Sequence, residues 1–315
     1  EELFLEIYEL ENHNSSKFYS WNLPSAWGTR VAAVFSFMVM LIVQGCSDSF
    51  DHEIKNDTLP LVKISLIDGK EMVLVPAGEF VMGTNKIDDE KTHLKIGAVK
   101  PLFLDQHPTR QIFLDSYYID KYEVTNEEYK RFLDSSGYDE LPGHWENGIY
   151  AKGTDRYPVT HVTWREALTY ALWAQKTLPS EAQWEKAARG VDGLLYPWGN
   201  DYEKGISNMD TDGARALVEV GKYPGDVSPY KVYDLGGNVM EWTLDWYQPY
   251  PGSTYKNSRY GKILKVLRGN AFQKAGHYFL EAYRYTFSRT EADPNDYFEN
   301  VGFRTLEYPK KIKMQ

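Results

Sequence analysis

A glycine-rich turn in the second half of the chain carries the residues best suited to binding a metal ion. It reads Asp234-Leu-Gly-Gly-Asn-Val-Met-Glu241, so two carboxylates flank a permissive stretch of backbone. Carboxylate and carbonyl oxygens are hard ligands, which suit calcium rather than a transition metal. The same composition is common in loops that bind nothing, so the residues alone leave a calcium site and an ordinary loop open.

The only cysteine, Cys46, closes an apolar run. That run, Val31 to Val43, follows Arg30 and is interrupted only by Ser36. A basic residue, a short apolar core and a small residue before cysteine are typical of a bacterial lipoprotein signal. A membrane-spanning anchor is the alternative, although spanning takes about 20 apolar residues. We therefore predict a lipid on Cys46, membrane attachment through it, and a location in the bacterial cell envelope.

The position of Cys46 also suggests how the rest of the chain is divided into segments. We divide the chain into an unassigned leader (1–29), the signal (30–46), a polar tether (47–61), a folded domain (62–308) and a basic tail (309–315). If Cys46 carries the lipid, the folded domain has no thiol. Disulfides, thiolate metal sites and cysteine nucleophiles are then excluded together.

Charge and composition narrow the function classes. The net charge of -10 argues against a nucleic-acid partner, because phosphate binding needs a basic face. The 24 Tyr and 9 Trp residues, with frequent Gly and Pro, predict a loop-rich domain held together by aromatic packing.

Three capping boxes mark the helices. They are Thr125-Asn-Glu-Glu128, Thr163-Trp-Arg-Glu166 and Ser180-Glu-Ala-Gln183, which predict helices over about 126–134, 164–175 and 181–189. Short strands are predicted on both sides of Pro76-Ala77-Gly78 and at 111–119, 240–246, 265–267, 283–289 and 302–306. With no βαβ alternation, the chain is expected to be α+β and rich in irregular loops.

Several motifs carry a family resemblance. They are Pro158-Val-Thr-His-Val-Thr-Trp164, Leu178-Pro-Ser-Glu-Ala-Gln-Trp-Glu-Lys-Ala-Ala-Arg189, Tyr196-Pro-Trp-Gly199, Gly236-Gly-Asn-Val-Met-Glu-Trp242, Leu267-Arg-Gly269 and Gly302-Phe-Arg304. In order and spacing they resemble the formylglycine-generating enzyme, or sulfatase-modifying factor, family. The resemblance implies that family's C-type-lectin-like fold.

The resemblance also implies structural calcium. Its first site would use the side chains of Asp234 and Glu241 and the carbonyls of Gly237 and Val239. Its second would use Asn208 and Asp212 with the carbonyls of Met209 and Ala214, and Asp210 could replace Asp212 in this shorter loop.

Catalysis is where the chain departs from the family. The family's oxidase activity implies copper held by a cysteine pair between the Arg-Gly and Gly-Phe-Arg motifs, but residues 273–285 contain no cysteine. We therefore expect no copper and name no catalytic residue. The same segment offers a ligand-binding cleft instead, which we expect to include Lys274, His277, Tyr278, Phe279 and Arg284.

Three functions remain open. The first is a non-catalytic binding or assembly module that recognises a protein or saccharide in the envelope, as in gliding and secretion machinery or in receptors of this fold. The second is an enzyme of the family with altered, cysteine-independent chemistry. The third is calcium-dependent saccharide binding.

Overall fold

The computed structural model describes residues 59–95, 100–209, 216–272 and 284–309. Four helices lie in these ranges: α1 (Thr92–Lys95), α2 (Asn126–Ser136), α3 (Trp164–Trp173) and α4 (Glu181–Arg189). None of the helices in the described ranges is long and apolar enough to cross a membrane. Cys46 and residues 310–315 lie outside the description, so the predicted anchor and tail stay predictions.

All three predicted capping boxes are formed. In each, the N-cap hydroxyl accepts from the backbone of the third helical residue, whose side chain accepts from the N-cap backbone. α2 ends at Gly137, which takes a left-handed conformation with φ of 71°. α3 ends at Trp173, two residues earlier than predicted, because Gln175 turns to a φ of 58°. This turn lets Lys176 enter the interior, where its ammonium group binds Asp68 and Asp120 at 2.7 and 2.9 Å.

The strands form three small sheets. Their bounds are β1 (Val62–Ile64), β2 (Glu71–Val75), β3 (Gly78–Met82), β4 (Arg110–Leu114), β5 (Tyr117–Asp120), β6 (Met240–Trp246), β7 (Lys265–Arg268), β8 (Arg289–Ala292), β9 (Val301–Gly302) and β10 (Leu306–Glu307). The sheet orders are β1-β2-β5-β10, β3-β4 and β8-β7-β6-β9. All pairs are antiparallel except β6 with β9. Helices and antiparallel strands are thus mixed without βαβ units, as an α+β chain requires.

The strand predicted at 283–289 is wrong for residues 284–288. Residues 284–288 form a turn closed by the Ser288 amide, which donates to the Tyr285 carbonyl at 2.9 Å, and β8 begins only at Arg289. The alternating aromatic residues that suggested a strand pack against one another instead, since the rings of Tyr285 and Phe287 stack at 4.9 Å. The prediction at 111–119 also divides, into β4 and β5, which belong to different sheets.

α4 lies at the centre of the core. Trp184, Ala187 and Ala188, which share one face of the helix, pack against strands β2 and β5. Glu185 and Arg189 form an ion pair on another face of the helix at 2.8 Å. Both are buried, so this helix is surrounded by protein and its polar face must bind other polar groups.

Candidate functional site

The turn that leads into β6 is shaped by two glycines. A Cβ atom on Gly236 would lie 2.6 Å from the Trp198 ring and 2.9 Å from an Asp226 oxygen. A Cβ atom on Gly237 would lie 2.8 Å from the Asn208 carbonyl oxygen. The backbone can pass between these groups only without side chains. The turn is therefore closely packed on both sides, unlike an ordinary surface loop.

Asp234 is held at the start of this turn with its carboxylate buried. Its φ of 62° lies in the left-handed region, and its Oδ2 accepts a hydrogen bond from the Gly221 amide at 2.6 Å. Burial raises the pKa of Asp234 to about 6. Glu123 contacts the same carboxyl group, and the pKa of Glu123 is raised well above its usual range by burial and by the Asp234 charge.

Glu241, the other predicted calcium ligand, forms a buried ion pair. Arg304 binds both of its oxygens, through Nε at 2.7 Å and Nη2 at 2.7 Å. Trp184 donates its indole N–H to Oε2 at 2.8 Å. The Oε2 atom of Glu241 thus accepts two of the described hydrogen bonds. The Oε1 atom accepts one of them, so one of its lone pairs is not used by any described bond.

The fit of these residues to calcium is therefore mixed. Asp234 and the backbone of the turn provide hard oxygens, as calcium prefers. Glu241 is already neutralised by a guanidinium, which opposes a second cation at the same carboxylate. In the described part of the chain, no group of three or more His, Cys, Asp or Glu side chains is arranged to hold a metal ion. Calcium at Asp234, Gly237, Val239 and Glu241 stays a prediction.

The second predicted calcium site is only partly described. Asn208 is buried and donates to the Ala216 carbonyl at 3.0 Å and to the Asn238 side-chain oxygen at 3.1 Å. Met209 is also buried. Asp210, Asp212 and Ala214 lie outside the described residues, so the prediction there is untested. The hydrogen bond between the side chains of Asn208 and Asn238 connects this loop to the turn that contains Gly236 and Gly237.

Two buried arginines join the strands around β7 to α4. Arg268 binds Glu181 at 2.8 Å and Glu185 at 2.7 Å, and so ties β7 to α4. Arg289 binds Glu181 at 2.8 Å from β8. Both guanidinium groups, like that of Arg304, are almost completely buried. These ion pairs give the loops around β6, β7 and β8 a fixed base.

Arg284 differs from these braces because it lies on a partly exposed aromatic surface. Its guanidinium lies over the Tyr202 ring at 4.0 Å. The Tyr196 and Trp198 rings stack at 5.3 Å, and Tyr196 also lies 5.6 Å from the Tyr285 ring. We name these five residues (Tyr196, Trp198, Tyr202, Arg284 and Tyr285) the aromatic face; Tyr196 is buried and the other four are half-buried. Lys274, His277, Tyr278 and Phe279, the other predicted cleft residues, lie outside the described residues.

Sequence reasoning missed several of these groups. Glu123 and Asp226 were not singled out, and their only signal was an acidic residue in an apolar or turn-forming context. Tyr196 and Trp198 were seen as a motif, Tyr196-Pro-Trp-Gly199, but not assigned to a binding surface. Their position beside Arg284 depends on the fold, since nearly ninety residues separate them along the chain.

The family's thiolate copper centre cannot be built from residues 62–308, because they contain no cysteine. Copper(I) sites are built from soft donors such as thiolates. The one cysteine of the chain is residue 46, outside the folded domain. The donor set between Gly269 and Gly302 therefore does not fit the copper centre that the family resemblance implied.

Comparison with known proteins gives consistent results. The model of the sulfatase-modifying factor enzyme 1-like domain matches residues 61–308. The formylglycine-generating enzyme of Bos taurus is 30% identical over 293 residues, covering 74% of each chain. Inactive C-alpha-formylglycine-generating enzyme 2 of Mus musculus is 26% identical and covers 78% of this chain and 88% of its own.

A solved structure is also similar to this chain in fold. PvdO from Pseudomonas aeruginosa aligns with a TM-score of 0.59 and 26% identity, over 79% of this chain and 98% of its own. The predicted α+β fold, the formylglycine-generating-enzyme type of C-type-lectin-like fold, is confirmed.

Proposed function

The chain belongs to the family of the sulfatase-modifying factor enzyme 1-like domain, and from that premise we propose that it is a non-catalytic binding or assembly module of the bacterial cell envelope. One observation carries the proposal: the segment that would hold copper contains no cysteine. A relative over most of this chain is named an inactive formylglycine-generating enzyme, which supports loss of the oxidase chemistry within the family.

The aromatic face supports a binding role for the same region. Tyr and Trp provide large contact areas at low entropic cost, and Arg adds directional hydrogen bonds. Buried arginine braces beneath the face hold β7 and β8 against α4. A rigid base of this kind lowers the entropy lost when a ligand binds. The ligand would be a protein or saccharide of the envelope that contacts the half-buried rings of Trp198, Tyr202 and Tyr285.

Membrane attachment through a lipid on Cys46 is the second part of the proposal. Twelve residues lie between Cys46 and Leu59, where the description of the domain begins. β1 and the residues on either side of it expose apolar side chains, including Leu61, Ile64 and Leu66, with 75%, 61% and 90% of their surfaces accessible. Contiguous exposed apolar residues are unusual in soluble domains. Contact of β1 with the lipid surface would remove them from water.

We expect no aldehyde when the purified protein is incubated with copper and a peptide containing the sulfatase cysteine motif. The physical reason is that Lys, Tyr and Phe cannot replace the soft thiolate pair that holds copper(I) in the family. Mass spectrometry of the peptide measures the conversion, and the bovine formylglycine-generating enzyme provides the positive control. Turnover above a no-enzyme blank would return the chain to the oxidases.

We expect the double substitution Tyr278→Ala with Phe279→Ala to weaken ligand binding about tenfold or more, as loss of central aromatic contacts usually does. Binding of defined envelope glycans to the immobilised protein measures the effect. Phe113→Ala is the matched control, because Phe113 is an aromatic side chain of β4 with 62% of its surface exposed. Equal binding by both variants would exclude the 273–283 segment from the ligand site.

A further inference from the structure

The hairpin that joins β1 to β2 carries a concentration of exposed apolar side chains. Of the 14 large apolar side chains that are exposed in the described ranges, five lie within residues 61–67. A single exposed apolar residue is normal on a protein surface, whereas a contiguous group marks a contact with a protein or a membrane. We name these five residues the hairpin patch: Leu61, Val62, Ile64, Leu66 and Ile67.

The first part of the patch belongs to an edge strand. Among the described strands, β1 pairs only with β2. Val62 and Ile64 lie on one face of β1, because side chains alternate along a strand, and both are exposed. Lys63, on the other face, lies over the Tyr118 ring at 4.5 Å and pairs with Glu307. The strand thus turns its charged residue towards the domain and its apolar residues outwards.

The turn of the hairpin is held in place from inside the domain. The Ser65 amide closes the turn by donating to the carbonyl five residues later at 2.8 Å. Asp68 is buried and accepts a hydrogen bond from the Lys176 ammonium group at 2.7 Å. Leu66 and Ile67 lie between these two fixed points and form the exposed tip. A tip held in this way loses little entropy when a partner covers it.

The charges around the tip favour a lipid surface. Asp68 is the only acidic residue between positions 61 and 70, and its carboxylate is neutralised inside the domain by Lys176. Arg131 of α2 is exposed beside the turn, with its Nη1 atom 3.7 Å from the position that a Cβ atom on Gly69 would take. An apolar tip next to a cation suits the bilayer boundary, where apolar side chains leave water and cations meet anionic headgroups.

The predicted anchor would bring a membrane close to this hairpin. The described domain begins at Leu59, two positions before the patch. Only 12 residues lie between Cys46 and Leu59, so a fully extended tether spans at most roughly 45 Å. A lipid on Cys46 would therefore keep the hairpin patch within reach of the bilayer, which makes the bilayer the best candidate to cover it.

We propose that the β1–β2 hairpin is a membrane-binding element of the domain, with Leu66 and Ile67 inserted at the boundary between lipid headgroups and acyl chains. The exposed side chains of β1 lie against the same boundary. A few aliphatic side chains give weak, reversible binding, so the hairpin orients the domain and does not hold it on the membrane during fractionation. This role rests on the proposed membrane location but not on the ligand of the aromatic face, so either can fail alone.

A fluorescent dye at the tip tests the insertion. Cys46→Ala removes the only cysteine, so Leu66→Cys in that background gives one site for an environment-sensitive dye. With excess vesicles of phosphatidylethanolamine and phosphatidylglycerol, we expect its emission to shift to shorter wavelength and to be quenched from within the acyl chains. Phe113→Cys is the matched control, because Phe113 is exposed on β4 of another sheet and its dye should stay in water. The dye reports the tip itself, whether or not Cys46 is lipidated in the natural protein.

Removal of the apolar tip provides a second test. With the dye on Ile64→Cys, the additional changes Leu66→Asn and Ile67→Asn should raise the lipid concentration for half-maximal response at least about tenfold. Phe113→Asn should leave the response unchanged. Both tip residues are exposed, so circular dichroism should show the same thermal unfolding with and without these changes.

Every other result contradicts the proposal. A dye at position 66 that responds to vesicles no more than the control dye would show that the tip does not enter the bilayer. A shift that grows with protein concentration without vesicles would indicate that a second copy of the chain covers the patch. Shielding from a water-soluble quencher in dilute protein would indicate that another segment of the same chain covers it.

Discussion

Arg268→Ala is expected to destabilise the domain by about 3–5 kcal/mol, the usual cost of removing one partner from a buried ion pair. The Arg268 guanidinium has no accessible surface and binds Glu181, Glu185 and the Thr286 carbonyl at 2.8, 2.7 and 2.6 Å. Its removal leaves two buried carboxylates that each lose one of their two arginine partners. Urea unfolding followed by tryptophan fluorescence measures the change.

Two control variants test whether the loss comes from the buried ion pair of Arg268. Arg156→Ala should change the free energy of unfolding by less than about 1 kcal/mol, because Arg156 is largely exposed and 3.9 Å from Glu219. Arg268→Lys should rescue the loss only partly, since an ammonium group cannot bind two carboxylates and a carbonyl in the geometry of a guanidinium. A stable Arg268→Ala variant would show that the brace is dispensable and that β7 is held by packing alone.

Cys46→Ala is expected to release the protein from the membrane fraction almost completely. A diacylated cysteine is the only membrane attachment that the lipoprotein interpretation provides, and its loss also removes the site of signal processing. Expression in a bacterium with a labelled fatty acid, followed by fractionation, measures both lipid incorporation and membrane association.

The neighbouring Ser47→Ala substitution should change neither quantity. A Cys46→Ala protein that loses the label but stays in the membrane after carbonate washing would indicate that residues 31–43 span the bilayer. Membrane association with unchanged labelling would contradict lipidation at Cys46 altogether.

Local patterns in the sequence determined the helices and the family. Each capping box joins residues only three positions apart, so the interaction that starts the helix can be read from the local sequence. The motifs from Pro158 to Arg304 indicated the fold because their order is that of the family. In the folded domain they meet in one core, where Trp184 and Arg304 both bind Glu241. The absence of cysteine from residues 62–308 is likewise a property of the sequence alone.

Tertiary structure decided how the charged residues are used. Glu241 looked like a free metal ligand because nothing nearby in sequence neutralises it, yet Arg304, sixty-three residues later, binds both of its oxygens. Glu123 attracted no attention for the opposite reason, since its importance depends on Asp234, far along the chain. The turn at 284–288 shows the same limit, because aromatic stacking overrode an alternating pattern. Whether a carboxylate binds a cation, an arginine or a proton depends on which groups the fold places beside it, and that is a long-range electrostatic property.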